Sequence, residues 1–80
     1  MIRTVFKHLE IQAIENDQLL GRLQYSLSGK EMSILHTYAY ESGRGIGSQL
    51  VQAAKQWATA HRYTIIPICS FAQKYLATKQ

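Results

Sequence analysis

Three features of this 80-residue chain could do chemistry: the glycines and arginine of Glu41-Ser42-Gly43-Arg44-Gly45-Ile46-Gly47-Ser48-Gln49-Leu50, the single cysteine Cys69, and His36. The glycine stretch suits an anion. Glycine lets the backbone approach a ligand with no Cβ in the way, and the first amides of a following helix point free N–H groups outward with partial positive charge behind them. A phosphorylated ligand is therefore expected at this loop; a tight turn with no ligand is the plainer alternative. Cys69 stands just ahead of an expected helix N-terminus, a position that lowers a thiol's pKa and makes it nucleophilic. A lone cysteine also serves as a small buried hydrophobe. His36 could take a proton or orient Cys69, or pack into the core, because it shares an expected strand face with Met32 and Ile34. His8 and His61 read as surface residues.

These residues must be positioned by the elements around them. Met1 to Lys7 reads as a lead-in or a short edge strand. Leu9 to Ala13 alternates apolar and polar residues, as a half-buried strand does, and Ile14 ends the run. After a turn at Glu15-Asn16-Asp17 comes a second strand, Leu19 to Leu27, with Leu19, Gly21, Leu23, Tyr25 and Leu27 on one face. Ser28-Gly29-Lys30 is a hairpin turn whose glycine is free to take positive φ. The third strand, Glu31 to Tyr40, puts Met32, Ile34, His36, Tyr38 and Tyr40 on one face and Ser33, Leu35, Thr37 and Ala39 on the other.

Beyond the glycines the period changes. Ile46, Leu50, Ala54 and Trp57, joined by Val51 and Ala58, form an apolar stripe at helical spacing over 46–60, and His61 and Arg62 close the last turn where the helix dipole favours positive charge. Tyr63 to Ile66 is β-branched and nearly all apolar, so a strand buried in the sheet is expected, stopped by Pro67. Strand 31–40, helix 46–60 and strand 63–66 then make a βαβ unit after an antiparallel meander, an α+β arrangement. Ser70 to Thr78 is a last short helix, with Ser70 as N-cap and Phe71, Tyr75 and Leu76 facing inward.

Composition bounds what such a chain can be. Eighty residues predict one domain over 1–80 with a small core, hiding roughly 60% of the surface the unfolded chain exposes. No apolar run approaches the ~18 residues needed to cross a bilayer, the start does not read as a signal peptide, and one cysteine allows no internal disulfide. A cytoplasmic protein is expected. Residues 1–41 carry five acids against four bases, whereas 42–80 carry Arg44, Lys55, Arg62, Lys74 and Lys79 and no acid, so the net +4 is concentrated beside the glycine loop. That balance suits a polyanionic ligand, or merely aids solubility. Nucleic acid is disfavoured, because helix 46–60 offers only Lys55.

Spacing narrows the phosphate loop. A P-loop needs Gly, four residues, then Gly-Lys-Ser/Thr, and no such run exists; a dinucleotide fingerprint needs G-x-G-x-x-G and a later acid, whereas here the glycines run Gly43-x-Gly45-x-Gly47 and nothing after Glu41 is acidic. Gly45-Ile46-Gly47-Ser48-Gln49-Leu50-Val51 instead resembles the second part of the pyrophosphate loop of the GNAT acyl-CoA N-acetyltransferase superfamily. His36-Thr37-Tyr38 upstream and Ile66-Pro67-Ile68-Cys69-Ser70-Phe71 downstream sharpen the match. Together the three segments resemble the small single-domain GNAT-like family with the signature His-Thr, Gly-x-Gly-x-Gly/Ala, Pro-x-Cys-x-Phe/Tyr. The superfamily's Gln/Arg position, three residues before Gly45, is Ser42 here. Arg44 is expected to supply the lost charge, with backbone amides doing most of the cradling. The chain stops at Gln80, where relatives often carry a little more, so a closing element is expected to be absent.

The resemblance implies a minimal GNAT-like fold and an N-acetyltransferase moving an acetyl group from acetyl-CoA to an amine, as a monomer or homodimer. It implies that strand 31–40 splays from strand 63–66 and admits the pantetheine arm of coenzyme A. Tyr38, Ala39 and Tyr40 would bind the arm through main-chain groups, and Gly43, Arg44, Gly45, Ile46, Gly47 and Ser48 the pyrophosphate. Phe71 and Tyr75 are placed with the cofactor, Tyr75 as a donor to the leaving thiolate or simply as a packing residue. Catalysis falls to Cys69, either accepting the acetyl group or contacting the cofactor's sulfur end, and to His36. A coenzyme A-binding module with little or no catalysis is the alternative.

Overall fold

The computed structural model describes residues 1–41 and 43–78. Five strands form one sheet in sequence order: β1 (Arg3–Lys7), β2 (Glu10–Glu15), β3 (Gln18–Ser28), β4 (Glu31–Ala39) and β5 (Thr64–Pro67). Helix α1 (Ile46–His61) links β4 to β5, and α2 (Ser70–Thr78) follows β5. The first four strands pair antiparallel and β5 runs parallel to β4. The expected meander followed by a βαβ unit is therefore the architecture found, with Met1 to Lys7 contributing the edge strand β1.

Two β-bulges decide which side chains face which way. Across β2 and β3, Ala13 opposes Gly21 and Ile14 opposes Leu19, which leaves Leu20 as an extra residue. Leu20 turns into the core at 2% exposure, while Leu19, expected inside, is 39% exposed. Across β3 and β4, Gln24 opposes His36 and Tyr25 opposes Ile34, so Leu35 is the extra residue. Strict alternation fails there. Met32 and Ile34 stay buried, but His36 and Tyr38 move to the opposite, solvent face, and Thr37, opposite the buried Leu23, takes the core side.

The core lies between one face of the sheet and α1. Ile11, Ala13, Leu23, Met32 and Ile34 of the strands meet Ile46, Leu50, Val51, Ala54 and Ala58 of the helix, all essentially without exposure. Trp57 joins from its edge, half-buried and stacked on Phe6 and His61. The helix ends on Arg62 in the left-handed conformation, whose N–H donates to the Ala58 and Thr59 carbonyls. The molecule's shortest dimension, 18 Å, leaves room for one helical layer on the sheet. Helix α2 packs on that same layer, with Ala72 as its fully buried residue. Phe71, expected inside, is 39% exposed, and Tyr75 and Leu76 are half-buried.

β5 also departs from expectation. It is an edge strand, exposed at Thr64 and half-buried at Ile65, Ile66 and Pro67, rather than an interior one. Pro67 is still paired, opposite Ile34. Lacking an N–H, it suits the margin of a sheet better than its interior.

Candidate active site

The site forms where β5 leaves β4. Their pairing runs only from Glu31↔Thr64 to Ile34↔Pro67, although β4 continues to Ala39. At the parting point the Ile34 carbonyl accepts from both Ile68 N–H (3.1 Å) and Cys69 N–H (2.9 Å), which turns the chain off the sheet and into α2. The rest of β4 presents an open edge. Tyr40 N–H donates to the Leu20 carbonyl at 2.8 Å, so Tyr38, two residues back, also turns its peptide groups to β3. The alternate residues Thr37 and Ala39 turn theirs to the open edge. Of the main-chain groups expected to hold a pantetheine arm, those of Ala39 are available, while the N–H of Tyr40 is engaged.

The N-terminus of α1 lies beside this edge. A Cβ built on Gly21 would fall 2.5 Å from the Tyr38 carbonyl and 2.7 Å from Ile46 Cγ2, so the first residue of α1 sits against the end of β4. The helix starts at Gly45, which has φ 68° and makes no side-chain cap; its carbonyl accepts the first helical bond, from Gln49 at 3.0 Å. The amides of Ile46, Gly47 and Ser48 therefore have no carbonyl within the helix to meet, no cap and no acid in the first turn. Gly43 is also left-handed, at φ 81°, and space is open around the Cβ positions of both loop glycines. The result is a helix start whose first amides have no partner within the helix, beside two left-handed glycines, the backbone arrangement that suits an anion. Ser42, which stands at the superfamily's Gln/Arg position, lies outside the described residues.

Arg44 is turned elsewhere. Its Nη2 lies 2.8 Å from Glu15 and its Nη1 donates to Glu41 at 3.1 Å. The hydrogen bond from Arg44 holds the Glu15 carboxyl below its ordinary range, and Glu15 and then Glu41 raise the Arg44 guanidinium. The charge expected to face a phosphate is thus already neutralised by two carboxylates, and it ties the glycine loop to the β2–β3 turn.

Cys69 occupies the N-cap of α2, its carbonyl accepting from Gln73 N–H at 3.0 Å. Ser70, expected as the cap, is the first helical residue. The thiol lies 3.6 Å from Thr37 Oγ1, to which it donates. Burial raises its pKa, but once ionised the sulfur can accept from the Ala72 amide, from the Thr37 hydroxyl turned to donate, and from the backbone of Phe71 and Thr37; these outweigh burial, and the net direction is down. Phe71 then packs on α1: a Cβ on Gly47 would fall 2.8 Å from its ring, so only glycine lets the two helix starts meet this closely. Tyr75 donates its hydroxyl to Gln52 Oε1 at 2.8 Å, which ties α2 to α1.

The structure thus brings Cys69, Phe71, Gly47, Ile46 and the end of β4 close together, beside the opening left where β5 parts from β4. His36 is not among them. It is exposed and stacked on Tyr38 with ring centroids 5.9 Å apart, on the sheet face opposite Thr37 and the helices. The Cys69–His36 dyad that adjacent strands suggested is not formed; the polar partner of Cys69 is Thr37. In the sequence Thr37 is marked only by its place in the His36-Thr37 pair, and nothing there marks Glu15 and Glu41 as partners of Arg44.

Comparison with known proteins agrees with this geometry. The family model for GCN5-related N-acetyl-transferases matches residues 8–80. Among solved structures, the chain is similar to the solution structure of a GCN5-like candidate N-acetyltransferase from Staphylococcus aureus, at TM-score 0.78 and 22% identity, covering 96% of this chain and 79% of that one. A match to the family model that begins just after β1 and runs through the open β4 edge, the uncapped helix start and the Cys69 turn has one reading: the chain belongs to the GCN5-related N-acetyl-transferase family.

Proposed function

We propose that residues 1–80 work as one acetyltransferase domain, moving an acetyl group from acetyl-CoA to an amine. The observation that carries this reading is the uncapped start of α1 beside the open edge of β4. The residues fit the cofactor. The amides of Ile46, Gly47 and Ser48, with open space around Gly43 and Gly45, suit a diphosphate. The outward peptide groups of Thr37 and Ala39 suit an amide-bearing arm laid along the strand, as an added strand would be. Phe71 lines the opening from α2. Arg44 acts as a strut for the loop rather than as a phosphate ligand.

Acetyl-CoA supplies an activated acyl group as its thioester. The β4 edge amides would polarise the thioester carbonyl, since donors fixed in advance at developing charge cost no reorganisation during reaction. The amine nitrogen bonds to the acetyl carbon, the carbon–sulfur bond breaks, and the proton shed by nitrogen ends on the departing thiolate. His36, exposed beside the edge, is the group placed to carry that proton. Cys69, with its thiol pKa lowered by the α2 start and Thr37, lies at the sulfur end, either receiving the acetyl group or steadying the thiolate. A lone cysteine suits a reducing compartment, and we place the reaction in the cytoplasm.

The test mixes the protein with acetyl-CoA and a panel of primary amines and follows release of the coenzyme A thiol. Turnover that falls about a hundredfold or more in Cys69→Ala supports the reading. A wild-type protein that binds coenzyme A in a thermal-shift assay yet acetylates no amine is instead a binding module. Intact mass after acetyl-CoA alone shows whether Cys69 carries the acetyl group.

A further inference from the structure

The sheet face turned away from the helices carries polar and aromatic side chains that the cofactor reading leaves unused. Strand pairing sets Glu10 and Gln12 of β2, Arg22 and Gln24 of β3, and His36 and Tyr38 of β4 side by side there. Gln12 donates to Glu10 Oε2 at 2.8 Å and Gln24 to Oε1 at 3.4 Å, so the Glu10 carboxylate is occupied, with its side chain 17% exposed. Arg22 is served less well. Its Nη1 reaches Glu10 only at 3.7 Å, beyond hydrogen-bond length, and its Nε–H is shut from solvent with no acceptor. The guanidinium lies instead over the Tyr38 ring, 5.3 Å from the centroid, with 40% of its side chain in solvent.

The shielded Nε–H lies out of a ligand's reach, so only the outer Nη donors of Arg22 can meet one. A guanidinium laid against a ring, with its outer donors open, is prepared to take a carboxylate through two parallel hydrogen bonds. Tyr38 links this cation to the site. Its ring contacts both Arg22 and His36, and its strand neighbours Thr37 and Ala39 present the open edge of β4.

We propose that this shelf binds the acceptor, and that the acceptor is a small amine that also carries a carboxylate. The carboxylate lies on Arg22, the Tyr38 ring spans the middle, and the amine comes to His36 at the β4 edge. Glu10, held by two glutamines, is a positioning residue that keeps the Arg22 side chain over Tyr38. A polyamine would set a second cation against Arg22 and is disfavoured. The inference rests on the acetyltransferase reading above and adds the class of its second substrate.

The test uses amine pairs that differ only in a carboxylate: γ-aminobutyrate with n-butylamine, and β-alanine with n-propylamine. Release of the coenzyme A thiol is followed for each, with thermal shift by coenzyme A run alongside. The wild type is expected to favour the carboxylate member by about tenfold or more in kcat/KM, the scale of one charge-assisted hydrogen bond. Arg22→Gln should collapse that ratio through KM, and Arg22→Lys should restore part of it. Equal rates within pairs in the wild type, or a ratio that survives Arg22→Gln, overturn the inference alone. Binding of coenzyme A with no turnover of any amine removes the acetyltransferase reading, and the inference with it.

Discussion

Cys69 is the residue whose neighbours most directly set its chemistry. The amides at the start of α2 and the Thr37 hydroxyl favour the thiolate against burial. Its alkylation by iodoacetamide should therefore half-saturate below the ordinary thiol value of 9.0, and Thr37→Val should move that midpoint upward. The same shift affects stability. A thiol with a depressed folded pKa adds stability as pH rises through that folded value, in full above 9.0, and adds none below it. Glu15 follows the same sign at acid pH. Its carboxyl is lowered by the Arg44 hydrogen bond, so the stabilisation is complete above its ordinary value of 4.5 and lost as pH falls through the folded value. Urea unfolding of Glu15→Gln should lack that acid-side component, and the effect should shrink with salt because Arg44 is exposed and Glu15 only half-buried.

The elements meet at two glycines, and these are where substitution separates packing from turn geometry. Gly21→Ala would press its Cβ on the Tyr38 carbonyl and on Ile46, both fixed in place, and should cost about 2–3 kcal/mol in urea unfolding. Gly47→Ala would meet only the far end of the Phe71 ring, which can swing away. It should cost less, while displacing Phe71 from the opening and weakening coenzyme A binding. The glycine loop, the period change at Ile46 and the βαβ order were legible because spacing encodes them. The bulges were not. Leu19 and Leu20 are chemically alike, and nothing in Met32 to Tyr40 marks Leu35 as the unpaired residue, so strict alternation put His36 on the wrong face. Neutralisation of Arg44 was equally hidden, because Glu15 approaches only once the β2–β3 turn is folded, with Asn16 and Asp17 both left-handed.

At the scale of the molecule, one helical layer on one sheet leaves little reserve. A chain of this size holds roughly 4–12 kcal/mol in all, and Leu50→Ala, at the centre of the core, should remove about 2–5 kcal/mol of it. That variant should melt roughly 10–40 °C below the wild type in a calorimetric scan. Ligand binding should offset such losses. Coenzyme A at a hundredfold over its Kd adds about 2.7 kcal/mol and should raise Tm by about 10 °C or more.

The extra residue at Leu35 has a consequence for how this chain can change. It acts as a phase shift: every side chain from His36 to the end of β4 keeps its place along the strand but exchanges inside for outside. Deleting that one residue would set His36 directly after Ile34, restore plain alternation, and leave His36 and Tyr38 outward and Thr37 toward Cys69. The bulge thus gives β4 one position at which its length can change without turning the strand over. Loss of Leu35 should therefore be the length change this strand tolerates, with the Cys69–Thr37 contact kept.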